Sequence, residues 1–169
     1  MKKFVLAVCF SLIATFAFAH EMPAIKAMPA EFAQVKKLEG HWEGTTKEDG
    51  KDKAVVADYR ITAGGTAVIE TLFPGTAHEM VSIYHTEGEG VAMSHYCLLG
   101  NHPKMTLKKT SDNSLFFEMK GHDGITSTKE PHMHSLLITF KSPTEITQEW
   151  TNYENGKAGE KAVFTLVRK

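Results

Sequence analysis

The hydrophobic pattern changes period once along this chain, at Gly40. Before it, Phe32, Val35 and Leu38 repeat at helical spacing over residues 30–38, with Glu31 near the start and Gly40 just past the end. After it, apolar and polar positions alternate at period two, which predicts ten strands at about 41–47, 54–63, 66–73, 80–87, 90–98, 104–110, 114–120, 133–141, 145–153 and 159–167. The breaks between them carry turn chemistry. Asp49-Gly50 and Asn155-Gly156 are the pairs a two-residue primed hairpin turn needs, because both central residues take positive φ. Gly64-Gly65, Gly88-Glu89-Gly90 and Asp112-Asn113 punctuate three further connections. Ten twisted strands joined by hairpins, with no helical crossover, close most naturally into a barrel, which removes the exposed edges. The expected fold is therefore all-β, an up-and-down antiparallel β-barrel of about ten strands with one short N-terminal helix. An open sheet or a sandwich is the competing arrangement.

Alternation also assigns faces. Val55, Ala57, Tyr59 and Ile61 should point inward from the second strand, Met105 and Leu107 from the sixth, and Leu115, Phe117 and Met119 from the seventh. His134, Leu136, Ile138 and Phe140 share one face of the eighth strand, and Ile146, Gln148, Trp150 and Asn152 one face of the ninth. The third, fourth, fifth and tenth strands are apolar on both faces, so the pattern leaves their orientation open. For a ligand held inside, Val55, Tyr59, Met105, Phe117, Leu136, Phe140 and Trp150 would supply an apolar wall. Tyr59, Gln148 and Asn152 would supply directed hydrogen bonds.

Residues 1–19 read as an export signal rather than as part of the fold. Lys2 and Lys3 precede an apolar run from Phe4 to Phe16, and Ala17-Phe18-Ala19 forms the small-residue cleavage site. The run is short for a bilayer span, although an uncleaved anchor is the alternative. The expected mature protein is periplasmic or secreted, with a loose leader at 20–29 and a single barrel domain at 30–169. Without the signal, 17 basic residues face 20 acidic ones. The one dense basic cluster, Lys104, Lys108 and Lys109, is too small for a nucleic-acid surface. No later segment approaches membrane-spanning length, so no stable membrane span is expected after processing. Cys97 is then the sole cysteine, which excludes an internal disulfide and leaves stability to the core.

Leu38-x-Gly40-x-Trp42-x-Gly44, at the junction of helix and strands, resembles the opening of calycin barrels, both lipocalin-like and nitrobindin-like. In such barrels an indole plugs one end and the interior holds a ligand. The resemblance therefore implies a container. Nitrobindin-like barrels also have ten strands and bind haem, through a histidine on a late strand; this chain has no histidine after His134. Fatty-acid-binding barrels insert a helical lid where Asp49-Gly50 here closes the connection directly. The segments His95-Tyr96-Cys97-x-x-Gly100-Asn101-His102-Pro103 and Trp150-Thr151-x-Tyr153-x-Asn155-Gly156 are similar to those of uncharacterised exported bacterial proteins with lipocalin-like domains, a group with no settled activity to carry over.

Soft-ligand chemistry has one candidate centre. His95 and Cys97 leave the same face of one strand, and pairing Cys97 with Met105 would make that face the interior. His134 is placed inward by its own strand. Together they offer imidazole and thiolate to zinc, copper or haem iron, against the plainer reading of core packing. His132 and His134 form a second chelating pair by spacing, and a processed N-terminal His20, with Met22 and Met28 nearby, could hold copper. No nucleophile elbow, metalloprotease helix, P-loop or dinucleotide fingerprint is present, and a Cys97–His95 nucleophile pair lacks an orienting third group. The sequence thus predicts an exported binding protein for an apolar or amphipathic small molecule. A metal- or haem-binding protein using His95, Cys97 and His134, and a small barrel enzyme with Cys97 as its reactive group, are the alternatives. No catalytic residue and no cofactor is identified.

Overall fold

The computed structural model describes residues 27–169. The expected signal peptide and the His20 copper site lie outside these described residues. One helix, α1 (Ala30–Lys36), precedes ten strands. These are β1 (Gly40–Glu48), β2 (Lys51–Thr62), β3 (Ala67–Leu72), β4 (Met80–Glu87) and β5 (Gly90–Tyr96), followed by β6 (Lys104–Ser111), β7 (Ser114–Met119), β8 (His132–Ser142), β9 (Glu145–Glu154) and β10 (Lys157–Arg168). Each strand pairs antiparallel with its sequence neighbour, and β1 pairs with β10 to close the barrel. The two primed turns form as their residues require, with φ of 50° and 73° at Asp49-Gly50 and 53° and 74° at Asn155-Gly156.

The closing seam explains the glycine-rich opening motif. A Cβ on Gly44 would lie 1.8 Å from the Thr165 carbonyl oxygen, so β1 approaches β10 more closely than any side chain permits. Trp42 is fully buried, donates its indole N–H to the Leu38 carbonyl at 2.7 Å, and lies beneath the Arg168 guanidinium, 4.4 Å from the ring. Arg168 in turn donates to the Lys37 and Glu39 carbonyls, satisfying oxygens left free at the helix end. Phe32, Val35 and Leu38 are completely buried on the barrel side of α1. Gln34 ties the helix to the β6–β7 turn through the Ser111 carbonyl. The helix therefore caps one end. The other end, ringed by the β1–β2, β3–β4, β5–β6, β7–β8 and β9–β10 connections, has no helix over it among the described residues.

Two expectations about register fail. Met105 lies opposite Met93, not Cys97; β5 stops at Tyr96, and Cys97 enters a turn in which its carbonyl accepts the Gly100 N–H. The odd-numbered face of β5 is nonetheless interior, because Met93 and Met105 are both buried. In β8, the register slips between Met133 and Ser135, leaving His134 as a bulge residue. The slip pairs His132 with Tyr153, on the face of β9 opposite Gln148 and Trp150. Simple alternation, which sent His134 inward with Leu136, does not survive it.

Candidate functional site

The barrel interior contains a row of polar residues that no single strand's pattern reveals. Successive interstrand partners run Tyr59 (β2), Glu70 (β3), Ser82 (β4) and His95 (β5), each directly opposite the next. All four are buried. On β3 the alternation of Val68, Glu70 and Leu72 puts a carboxylate on the inner face between two apolar neighbours. Tyr59 donates its hydroxyl to one Glu70 oxygen at 2.6 Å, and Tyr84, two residues beyond Ser82, donates to the other at 3.0 Å. Gln148 reaches across from β9 and donates its amide to Glu70 Oε1 at 2.6 Å and to the Tyr59 hydroxyl. Trp150 completes the set by donating its indole N–H to Gln148 Oε1 at 2.8 Å. Its ring lies against the His95 imidazole, 4.6 Å between centroids.

The electrostatics of this row follow from its dryness. Burial pushes the Glu70 carboxyl above its usual range, while hydrogen bonds from Tyr59, Gln148, Ser82 and Tyr84 work against that rise. None of these contacts is a cation. Burial, and then the neighbouring Glu70 charge, raises both tyrosine hydroxyls well above 10, so they remain donors. Burial lowers His95 to about 4, so its imidazole is neutral at neutral pH. Ser82 Oγ lies 3.0 Å from His95 Nδ1. His95 Nε2 is buried and without a hydrogen-bond partner.

At the uncapped end, a cleft of about 520 Å³ opens among Ala54, Phe73, Met80, Leu98, Ala162 and Phe164, with Lys47, Lys53 and His78 at its edge. Its floor adjoins the polar row. Ala162 pairs with Trp150 and Phe164 with Gln148, and Met80 precedes Ser82 by two residues on β4. Phe73 sits in the left-handed region at φ 52°, a conformation that bulky residues avoid. It is held there by donation of its N–H to the Val56 carbonyl, and its ring meets Phe164 edge-on at 5.9 Å. Leu98 stands 55% exposed beside them, an apolar side chain offered to the mouth rather than to the core.

Of the residues singled out from sequence, Val55, Tyr59, Met105, Phe117, Leu136, Gln148 and Trp150 are buried inside the barrel, with Phe140 packed against that core. Asn152 is half-buried, and its Oδ1 has no partner. None of these nine lines the cleft at the mouth. His95 is interior. Cys97 lies half-buried in the turn after β5. His134 stacks on Tyr153 at 3.8 Å, with its Nδ1 3.2 Å from His132 Nε2. The bulge thus parts His134 from the His95 face, and among the described residues no three His, Cys, Asp or Glu side chains gather closely enough to hold a metal ion.

Glu70, Ser82 and Tyr84 escaped the sequence reading because β3 and β4 are apolar on both faces. The available signal was the lone acid in Val68-Ile69-Glu70-Thr71-Leu72, which period two places with Val68 and Leu72. No protein-family model matches this chain, and no curated protein resembles it to a significant degree.

Proposed function

We propose that this chain is an exported small-molecule binding protein that admits an apolar or amphipathic ligand through the uncapped end of its barrel. The observation that carries this reading is an apolar cleft at the mouth whose lining strands carry the polar row as their next inward neighbours. Binding sites for small molecules are concave and mostly apolar, with a few convergent polar groups to fix orientation, and both parts are present here. The closed ten-stranded barrel is consistent with a calycin-like fold. Membership of the lipocalin-like branch, suggested by the Gly40-x-Trp42-x-Gly44 opening, belongs to the same proposal and would make ligand carriage the natural role.

Titration with an environment-sensitive apolar dye tests the reading. Binding is expected with one site per chain, weakened at least tenfold by Met80→Glu, which puts a charge in the cleft wall. Absence of binding, or equal affinity in the variant, would remove the cleft from consideration. Native mass spectrometry of protein purified from its source would supply the ligand's mass directly.

A further inference from the structure

Away from the barrel interior, the bulge in β8 brings two imidazoles together, and neither of them lines the cleft. His132 is 2% exposed, and its Nδ1 lies 2.7 Å from the Glu130 carbonyl oxygen. A carbonyl only accepts, so Nδ1 carries the proton and Nε2 of the neutral ring is a lone pair. That lone pair lies 3.2 Å from His134 Nδ1. The register slip between Met133 and Ser135 turns His134 toward His132, and the Tyr153 ring, stacked on it at 3.8 Å, holds it there. We propose that His132 Nε2 and His134 Nδ1 are the two protein ligands of a site for a divalent transition-metal ion, copper(II) in first preference, with water in the remaining positions.

The spacing suits an ion. Two ligands about 2.0–2.1 Å from one ion stand roughly 2.9 Å apart at a right angle and roughly 3.3 Å apart at the tetrahedral angle, and 3.2 Å falls inside that interval. The Glu130 carbonyl does for His132 what backbone carbonyls do for metal-bound histidines: it keeps the proton on the far nitrogen and fixes the ring. In the metal-free pair, His134 Nδ1–H donates to His132 Nε2. Binding replaces that hydrogen bond, and the His134 proton moves from Nδ1 to Nε2 through solvent, so the ring stays neutral and no proton is lost overall. His134 is half-exposed, which gives the ion its entry. Glu118, opposite Ser135 on β7, places a carboxylate beside the bulge. Among the described residues no third His, Cys, Asp or Glu joins the pair, so water must complete the coordination. Open imidazole sites of this kind follow the usual order of divalent affinities, in which copper(II) exceeds zinc.

Calorimetric titration of the mature protein with copper(II) chloride at neutral pH tests the site. Wild type should bind one equivalent that His134→Ala lacks or holds at least tenfold more weakly, and zinc chloride should fill the same site with lower affinity. His132→Ala should behave alike. If its buried position prevents folding, His134→Ala, at a half-exposed bulge, decides alone. His85→Ala, on β4, should retain the equivalent. The comparison with His134→Ala also separates this copper from any held by an N-terminal His20, which both proteins share. Electron paramagnetic resonance of the bound copper should show coupling to two imidazole nitrogens, and that signal should disappear in His134→Ala. A wild type that binds no copper would overturn the proposal. Equal stoichiometry and affinity in His134→Ala, or a copper spectrum that the substitution leaves unchanged, would overturn it too and reduce the pair to a hydrogen bond.

Discussion

Glu70 is the least expected residue in the molecule, a carboxylate with no counter-ion at the centre of an apolar barrel. A buried carboxyl of this kind is tolerated only when its oxygens find donors, and the Tyr59, Tyr84 and Gln148 side chains supply them. Its burial also sets the state of its neighbours, since Tyr59, Tyr84 and Gln148 bond to it as one unit, with Ser82 opposite it and in contact with His95. His95 gives this unit a measurable pH dependence. Its pKa falls from 6.5 in the unfolded chain to about 4 in the folded one, so the unfolded state binds the proton more tightly. The stability that a neutral His95 contributes is complete above pH 6.5 and is lost as pH falls toward 4, amounting to about 3 kcal/mol. Glu70, raised by burial, acts in the opposite direction: its contribution is fullest below the unfolded value of 4.5 and is lost as pH rises through its folded value. The difference between wild type and His95→Leu isolates the histidine. Urea midpoints measured from pH 7 to pH 4 should fall more steeply for wild type than for the variant, and parallel profiles would mean that His95 is not desolvated.

At the scale of elements, the closed end and the open end are built by different rules. The closed end is a packing solution: α1 lays Phe32, Val35 and Leu38 over the barrel, and Trp42 fills the floor between the helix and Arg168. Truncation there leaves a cavity that the surrounding strands cannot collapse, and it breaks the indole bond to Leu38. Trp42→Ala should cost about 3–5 kcal/mol in chemical denaturation, and a loss below ~1 kcal/mol would mean that the indole is not a core residue. The open end is shaped by irregularities instead. The slip at His134 turns the start of β8 over, so that His132 and His134 gather on Tyr153 instead of facing the interior. The early end of β5 frees residues 97–103 to form a loop, with Leu98 on the cleft and Asn101 bonded to Glu130. Bulges and early strand ends concentrate at rims and next to sites, where a strand must re-aim its side chains.

Across the described residues, a barrel closed through β1 and β10 has no free edge strand, and it is capped by α1 at one end and carries a cleft at the other. That asymmetry is what the proposed carrier role would use, with the ligand entering and leaving by the same mouth. The function also depends on where the chain is delivered. Cleavage after Ala19 would give a mature protein beginning at His20, and N-terminal sequencing of protein recovered from the periplasm or medium should read His20-Glu21-Met22. A start at Met1 would argue for an uncleaved anchor and against free carriage.

What the amino-acid order determined by itself was everything that depends on local period and local backbone conformation. Alternation in β2, β7 and β9 identified Tyr59, Phe117, Gln148 and Trp150 as interior, and the Asp49-Gly50 and Asn155-Gly156 pairs identified their hairpins, because side-chain parity and positive φ are properties of a few adjacent residues. Only the tertiary structure decided what those interior residues meet. The Tyr59–Glu70–Ser82–His95 row is a product of four interstrand registers, and the reach of Gln148 to Glu70 crosses the barrel between residues 78 positions apart. A one-residue slip, as at His134, moves a side chain to the other face without altering the composition of its strand. That is why the His95, Cys97 and His134 grouping looked coherent along the chain, and why a carboxylate in a strand apolar on both faces went unseen. Parity is written in sequence neighbours, whereas register and cross-barrel contact are fixed only when all ten strands close together.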